Sequence, residues 1–326
     1  MKIFLDPWEA EYTGFFQVDE EFGEERVDVN IEIPKEKWMP IAEKDIPFQK
    51  EVIFLDGVRR MHQRIVIEKE GKIFYGGFGT FAAGAIKIIK DQRNDLFTSL
   101  IEVSIKRVLI VFEEVKADIK VFELPGIPFK VDIISMEKND PQAPLEKLQE
   151  LMRAEEVKLA DKISSYYKDI PLIVDGTLYF PWKDAKVLGF IKSLHNLYIP
   201  DELISVVLKL KQGERTPVFL ITFKNKGELS KKYSWFIRLK ELGDQEFPYA
   251  GIIRMEAPGT LKEKELSFLR SWSLTLKDFI SDRMRDKRSP QNLLPVGVLE
   301  RELKKRIGYE YLITQKLKAF LAKRNL

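Results

Sequence analysis

Two aspartates share a sequence context that suggests a common site. Asp56 follows the apolar run Val52-Ile-Phe-Leu55, and Asp175 follows the apolar run Leu172-Ile-Val174. Short runs of β-branched and leucine residues are typical of buried strands, so the sequence predicts one acid at the end of each of two strands. The glycine after each acid allows a turn and the close approach of an anion or a metal ion. A single Asp-Gly pair is more often only a turn, but two copies favour a shared site.

A third acid lies on a predicted helix. Apolar residues recur at three- and four-residue steps over residues 145–166, which is typical of an amphipathic helix. Glu156 lies on the apolar stripe of this helix, whereas Glu155 lies about 100° around the helix axis. A salt bridge to a basic residue of the same helix explains Glu156 equally well. Glu156 is therefore either a site residue or a partner in a salt bridge within the helix.

The three acids together suggest a divalent cation. Carboxylates that cluster beside an apolar core repel one another, and a site that keeps them ionised normally holds a metal ion. Ligation by oxygen alone suits Mg²⁺ or Mn²⁺. Two such ions roughly 3.5–4 Å apart would bind the attacking water and the leaving oxygen of a phosphodiester. The sequence therefore favours metal-assisted hydrolysis of a phosphodiester.

Other catalytic sites lack the residues that they need. The chain has no cysteine and two histidines, His62 and His195, so zinc ligation by Cys and His and a Cys-His dyad are excluded or unsupported. Gly79 and Gly84 have the spacing of a phosphate-binding loop, but Ala85-Ile86 stands where that loop requires Lys-Ser or Lys-Thr. The sequence also has no Gly-x-Ser-x-Gly elbow. Neither an ATPase site nor a serine hydrolase is expected.

The composition indicates a globular protein with a large core. The chain has 326 residues, of which 44% are hydrophobic, enough for one large domain or two ordinary ones. No apolar run reaches the roughly 18 residues of a membrane helix, and the first residues do not form a signal peptide. We therefore expect a soluble, cytoplasmic protein with no membrane partner. The net charge of +3 is small, so any nucleic-acid-binding surface must be local.

The periodicity of the apolar residues predicts an α/β fold with a mixed sheet, flanking helices and a helical C-terminal region. Strands are predicted at 27–33, 52–56, 58–68, 73–81, 104–112, 116–123, 129–134, 172–175, 187–192, 218–223, 234–239 and 251–256, and helices at 145–166, 262–280, 294–307 and 311–321. The strands that follow Asp56 are expected to form an antiparallel meander. Prolines at 34, 40 and 47 separate residues 1–47, which we interpret as an N-terminal β appendage and connector. The apolar stripe of the last helix is expected to pack on the core rather than on a second chain.

Basic residues that could contact a nucleic-acid backbone occur in two places. Lys192 ends the predicted strand 187–192 and is either a phosphate contact or a solvated strand terminus. The densest basic run lies between two predicted helices and consists of Arg283, Arg285, Lys287 and Arg288. A DNA contact and a solvated hinge are equally good interpretations of this run.

Seven motifs in order resemble the NurA nucleases, especially their bacterial branch. They are Phe54-Leu-Asp-Gly57, Met152-Arg-Ala-Glu-Glu156, Leu172-Ile-Val-Asp-Gly-Thr-Leu178, Val187-Leu-Gly-Phe-Ile-Lys192, Gly213-Glu-Arg-Thr-Pro217, Gly251-Ile-Ile-Arg-Met-Glu256 and Arg288-Ser-Pro-Gln-Asn-Leu-Leu-Pro-Val-Gly-Val-Leu-Glu300. The resemblance implies an RNase H-like core over residues 48–308, followed by a C-terminal amphipathic helix at 309–326. It also implies a Mn²⁺- or Mg²⁺-dependent nuclease acting on DNA ends and single strands, a homodimer, and a HerA-type hexameric ATPase as partner in DNA end processing and repair. The metal acids implied by the family pattern are Asp56, Asp175 and either Glu156 or Glu155.

One position departs from the archaeal pattern of the family. Archaeal members carry a tyrosine and, eight residues later, a histidine, and Asn292 and Glu300 stand at those positions here. Glu300 is therefore either a fourth metal-site residue or a surface acid paired with a nearby base. Two alternatives to a DNA nuclease remain open from the sequence. One is a non-catalytic module that docks to HerA or binds DNA ends, and the other is an RNase H-like ribonuclease.

Overall fold

The structure is a computed structural model that describes most of the chain. The described residues are 2–5, 23–43, 49–93, 95–119, 130–178, 186–225, 228–241, 248–260, 269, 271–281, 284, 286 and 288–324. The strands are β1 Lys2–Leu5, β2 Gly23–Asp28, β3 Ile41–Ala42, β4 Glu51–Lys69, β5 Lys72–Lys90, β6 Leu96–Phe112, β7 Asp132–Met136, β8 Leu172–Asp175, β9 Val187–Ile191, β10 Glu214–Arg215, β11 Phe219–Asn225, β12 Glu228–Arg238 and β13 Ile252–Pro258. The α-helices are α1 Glu113–Lys116, α2 Ala143–Tyr166, α3 Asp201–Leu208, α4 Trp272–Thr275, α5 Leu294–Arg306 and α6 Glu310–Arg324, with 3-10 turns at Lys35–Lys37 and Leu276–Phe279.

The described strands form one mixed sheet. Its main path runs β2-β11-β12-β13-β9-β8-β4-β5-β6-β7. The long strands β4, β5 and β6 are the predicted antiparallel meander. Strand β8 then pairs with β4 in parallel, and β9 pairs with β8 in parallel. The fold is therefore α/β with a large mixed sheet, as the periodicity predicted.

The two faces of β4 are covered by different helices. Phe54 points to one face and packs in a cluster with Leu299 of α5. Ile53 points to the other face and packs with Leu159 of α2. This alternation follows from the two-residue period of a strand. A side chain at position 56 lies on the α5 face, while position 57 lies on the α2 face.

The predicted position of Asp56 at the end of a strand is wrong. Asp56 lies inside β4, which continues from Glu51 to Lys69. Strand β5 pairs with β4 along this whole length, and Gly84 is the partner of Asp56. Because the pairing with β5 continues on both sides of Asp56, Gly57 extends the strand rather than turning it, and its N–H donates to Asp56 Oδ1 at 2.8 Å. Asp175 does end its strand, and Gly176 turns the chain there with a φ of 112°.

A second prediction is also wrong in part. Residues 116–123 were predicted as a strand, but the described part begins with the helical turn α1, which ends at Lys116. Residues 120–129 lie outside the described residues. The apolar residue Val115 of this turn is buried, so its side chain packs in the core without a strand. The helix predicted over 262–280 is described from residue 271 onward, where it forms α4 and a 3-10 turn.

The N-terminal residues contribute strands to the same sheet. Strand β1 pairs with β4, β2 pairs with β11, and β3 pairs with β10. A buried ion network fixes this region, because Arg215 donates to Glu32 at 2.7 Å and to Glu43 at 2.7 Å. Glu32 also accepts a hydrogen bond from the backbone N–H of Val218.

The last helix packs on the core, as predicted. Ile313 and Leu317 of α6 are buried in a cluster with Leu109 and Val111 of β6. The stripe of apolar residues on α6 is thus covered by the meander. Among the described residues, none of the helices combines the length and the apolar character needed to cross a membrane.

Candidate metal centre

Carboxylates from three elements meet beside the β4–β8 pair. Asp56 comes from β4, Asp175 from the end of β8 and Glu300 from α5, and their oxygens lie within 4.8 Å of one another. The parallel register pairs Leu55 with Val174, so the two aspartates follow on neighbouring strands. Strand pairing therefore places two of the sequence-predicted acids together, and α5 adds the third.

Glu300 reaches this position because α5 packs closely on the meander. Gly84 is the partner of Asp56 in the β4–β5 ladder. A Cβ atom at Gly84 would lie 2.8 Å from Leu303 and 3.2 Å from Leu299 of α5. The missing side chain thus lets the helix approach the strand pair. Glu300 is buried there rather than facing solvent.

Glu156 approaches from the opposite face of β4. A Cβ atom at Gly57 would lie 2.3 Å from Glu156 Oε1, so the carboxylate of Glu156 occupies the space above this glycine. A cavity of about 150 Å³ lies here, and its walls include Asp56, Glu156 and Asp175. The structure therefore brings all four candidate acids to one region, with Glu300 on one face of β4 and Glu156 on the other.

Glu155 points elsewhere. Its Oε1 atom accepts a hydrogen bond from Ser104 Oγ on β6. Glu155 does not line the cavity that Glu156 lines. Between these two neighbouring acids, Glu156 is therefore the one placed to act with Asp56 and Asp175.

Two basic residues pair with the acids. Lys192 follows β9, and its Nζ atom donates to Asp175 Oδ2 at 2.6 Å and to Asn292 Oδ1 at 2.6 Å. Arg288 donates from Nη1 and Nη2 to the two oxygens of Glu300, each at 2.9 Å. Lys192 is thus a counterion inside the cluster rather than a solvated strand terminus. The other members of the basic run, Arg283, Arg285 and Lys287, lie outside the described residues.

Residues just before α5 connect the Lys192–Asp175 pair with the Arg288–Glu300 pair through hydrogen bonds. Asn292 donates from Nδ2 to Asp286 Oδ2 at 2.6 Å, and Arg288 donates to the same carboxylate at 3.0 Å. Asp286 and Asn292 were not assigned this role from the sequence. The signal that could have found Asp286 is an acid within a run of bases, since such an acid often pairs with its neighbours.

Burial and mutual repulsion change the protonation of the acids. Burial, followed by the charge of Asp175, raises the pKa of Asp56 well above its usual value and that of Glu156 to about 8. Burial also raises the pKa of Asp175, although Lys192 opposes this shift. Burial opposes ionisation of Glu300 too, but the hydrogen bonds from Arg288 lower its pKa overall. The centre therefore favours the protonated form of Asp56 and Glu156, while Asp175 and Glu300 form ion pairs.

The residues of this centre fit a divalent cation. All the candidate ligand atoms are carboxylate oxygens, which Mg²⁺ and Mn²⁺ prefer. Buried carboxylates with raised pKa values also lack enough positive charge around them, and a cation supplies that charge. Asp56, Asp175, Glu156 and Glu300 could hold such an ion.

Replacing Gly57 with alanine tests the role of Glu156. The new Cβ atom would displace the carboxylate of Glu156, since it would lie 2.3 Å from Oε1. We expect Gly57→Ala to fold but to bind Mn²⁺ about tenfold more weakly, as measured by electron paramagnetic resonance of free Mn²⁺. Gly79→Ala is the control, because its Cβ would meet Leu148 of the same helix at 2.7 Å instead of an acid. Equal Mn²⁺ affinity in Gly57→Ala and the parent protein would remove Glu156 from the centre.

The raised pKa of Glu156 predicts a pH dependence of the metal-free protein. A carboxyl whose pKa rises from 4.5 to about 8 on folding binds more protons in the folded state than in the unfolded state between these values. Stability therefore falls as the pH rises from about 5 to about 8. In EDTA, we expect the Tm of the parent to fall more across this window than that of Glu156→Gln. Because Mn²⁺ competes with the proton, its stabilising effect should grow over the same window; parallel pH profiles of the two proteins would contradict the assignment.

Comparison with known proteins agrees with the geometry. A family model described as the NurA domain matches residues 48–296, well over half of the chain. No curated protein matches the chain at a significant level. The matched range contains Asp56, Glu156 and Asp175, and it ends just before Glu300. The chain therefore belongs to the NurA family, a family of nucleases.

Proposed function

We propose that the protein is a divalent-metal-dependent nuclease that hydrolyses the phosphodiester bonds of DNA ends and single strands. The observation that carries this proposal is the meeting of Asp56, Asp175 and Glu300 within 4.8 Å, beside the cavity that Glu156 lines. Such a set of oxygen ligands has no evident structural purpose, because buried like charges destabilise a fold. Membership of a nuclease family supports the same activity.

The proposed ligands are Asp56, Asp175, Glu156 and Glu300. A bound Mn²⁺ or Mg²⁺ lowers the pKa of its water and stabilises negative charge on a phosphoryl oxygen. Glu156 is preferred to Glu155 because Ser104 on β6 holds Glu155 by a hydrogen bond. Asp56, Asp175 and Glu300 are the set whose oxygens lie within 4.8 Å of one another, and Glu156, which lines the adjoining cavity, is the additional ligand.

The basic residues orient the acids and offset their charge. Lys192 fixes Asp175 through a 2.6 Å hydrogen bond and is itself fixed by Asn292. Arg288 binds both oxygens of Glu300, which holds this side chain in one orientation. Both cations lie next to the acids, so they also favour the approach of a phosphate group. We propose that Arg283, Arg285 and Lys287 contribute further backbone contacts together with Arg288.

Further parts of the proposal concern the fold and the partners. The core is proposed to be RNase H-like, which is supported by the meander β4-β5-β6 and by the parallel strands β8 and β9 beside β4. This core is proposed to span residues 48–308, with 1–47 as an appendage and 309–326 as a C-terminal helix. The family resemblance supports a homodimer, and a HerA-type hexameric ATPase as its partner in DNA end processing.

Conservative replacement of the two aspartates tests the activity. Asp56→Asn and Asp175→Asn each remove a negative ligand, so we expect Mn²⁺-dependent cleavage of labelled single-stranded DNA to fall about a hundredfold or more. The Tm in EDTA should change little in Asp56→Asn, because the raised pKa of Asp56 already favours its neutral form, and should fall in Asp175→Asn, because Lys192 loses its counterion. Asp278→Asn is a control, since Asp278 pairs with Lys90 at the surface. Cleavage of RNA alone would indicate a ribonuclease, and cleavage of neither substrate by the parent would indicate a binding module.

The role of Glu300 has its own test. If Glu300 supplies a metal ligand, Glu300→Gln raises the Mn²⁺ concentration for half-maximal cleavage, by about tenfold, and changes DNA binding little. Glu302→Gln is a matched control on the same helix, because Glu302 pairs with Lys305 at the surface. An unchanged Mn²⁺ requirement in Glu300→Gln would limit Glu300 to its ion pair with Arg288.

A further inference from the structure

We propose that Glu256 is a positioning residue of the metal centre, which holds the turn after Asp175 in place. This inference rests on the proposed function of that centre. Glu256 lies on β13 and is fully buried. It belongs to the motif Gly251–Glu256, but it lies two strands away from Asp175, because β9 separates β13 from β8. Its effect on the centre must therefore act through another segment.

That segment is the turn Gly176–Leu178. The residues of this turn line the same cavity as Asp56 and Asp175. The turn crosses over β9, where Gly189 is the register partner of Glu256. A Cβ atom at Gly189 would lie 2.8 Å from the backbone oxygen of Gly176 and 3.1 Å from Leu178. The absent side chain thus opens a path by which the turn reaches Glu256.

Both donors that the turn offers there bind one oxygen of Glu256. Thr177 Oγ1 donates to Glu256 Oε2 at 2.7 Å, and the backbone N–H of Leu178 donates to the same oxygen at 2.8 Å. The backbone N–H of Gly176 donates to the carbonyl of Phe190 on β9 at 2.9 Å. The three residues directly after Asp175 are therefore each fixed by a hydrogen bond. Because Asp175 is joined to Gly176 by a peptide bond, these hydrogen bonds also restrict the position of the Asp175 carboxylate.

The other oxygen of Glu256 is bound by two cations. Arg254 Nη1 lies 2.6 Å and Lys232 Nζ lies 2.9 Å from Glu256 Oε1. Lys232 also donates to Thr177 Oγ1 at 3.2 Å, which closes the network. Aromatic rings cover the cations, with Tyr198 4.7 Å from the guanidinium of Arg254. Although burial opposes ionisation, the two cations lower the pKa of Glu256 to about 2, so it remains a carboxylate.

What distinguishes Glu256 from a structural acid is the segment that it binds. Elsewhere, Glu32 also accepts hydrogen bonds from an arginine and from a backbone N–H, those of Arg215 and Val218, but it lies in the N-terminal region. Glu256 instead binds a segment that forms the wall of the metal cavity. Residues that orient metal ligands in this way commonly change metal affinity about 10- to 100-fold when they are replaced.

The test compares variants of the full-length protein. Glu256→Gln leaves two buried cations without their carboxylate and so threatens folding. Thr177→Val removes one hydrogen bond to Glu256 and adds no buried charge, and Thr177→Ser restores the hydroxyl. Glu32→Gln is the control for loss of a half-buried acid that accepts hydrogen bonds from an arginine and a backbone N–H away from the cavity. For each protein we would measure the Mn²⁺ affinity, the Tm in EDTA, and hydrogen exchange at Gly176 and Leu178.

The expected pattern separates positioning from stability. Thr177→Val should bind Mn²⁺ about tenfold more weakly and exchange faster at the turn, and Thr177→Ser should restore both. Glu32→Gln should lower the Tm and leave the Mn²⁺ affinity unchanged. Parental Mn²⁺ affinity in Thr177→Val would overturn the inference, whatever its Tm. Failure of the parent to cleave DNA while these affinities differ would instead contradict the proposed nuclease and leave the positioning role intact.

Discussion

The parallel pairing of β8 with β4 is the constraint on which the centre depends. It places Asp56 and Asp175 on adjacent strands, one residue beyond the paired Leu55 and Val174. Two buried carboxylates at that distance repel each other, and burial alone already raises both pKa values. The fold must therefore provide compensating charge or retain protons. The elements around the β4–β8 pair supply that compensating charge or allow the acids to stay protonated.

Glycines in the strands allow the neighbouring elements to approach the sheet closely. Gly84 gives room to α5, which carries Glu300, and Gly57 gives room to Glu156 of α2. Gly189 gives room to the turn that follows Asp175. In each case a Cβ atom would lie within about 3 Å of the approaching element, far closer than the ordinary packing distance of roughly 3.5–4.0 Å. Glycines on neighbouring strands thus set the distances between the acids and the elements around them.

The sequence predicted the parts of this centre that depend on local pattern. The apolar run before Asp175 and the glycine after it predicted a strand and a turn, and the apolar stripe of α2 distinguished Glu156 from Glu155. Asp56 has the same local pattern as Asp175, yet it lies inside a long strand, because β4 and β5 form one long hairpin in which Asp56 pairs with Gly84. Pairing along β4 is a tertiary property that a run of five residues does not contain.

The ion pairs of the centre could not be predicted from the sequence for the same reason. Lys192 was interpreted as a phosphate contact or a solvated terminus, whereas its ammonium lies between Asp175 and Asn292. The bonds of Arg288 to Glu300 depend on how the segment before α5 folds back on the helix. Glu256 stood in a recognisable motif, but its function requires Gly189 on another strand and a turn from a third. Sequence spacing cannot show which strands will be neighbours.

The charges of the centre are partly balanced by residues of the protein itself. Asp175 is paired with Lys192 and Glu300 with Arg288, so these two acids carry their own counterions. Asp56 and Glu156 have no ion pair of that kind among the described contacts, and their raised pKa values favour the protonated form. The two ion pairs and the raised pKa values of Asp56 and Glu156 both reduce the net negative charge of the centre. A cation bound there would compete with protons for carboxyls whose pKa is raised, so its affinity would be expected to increase as the pH rises.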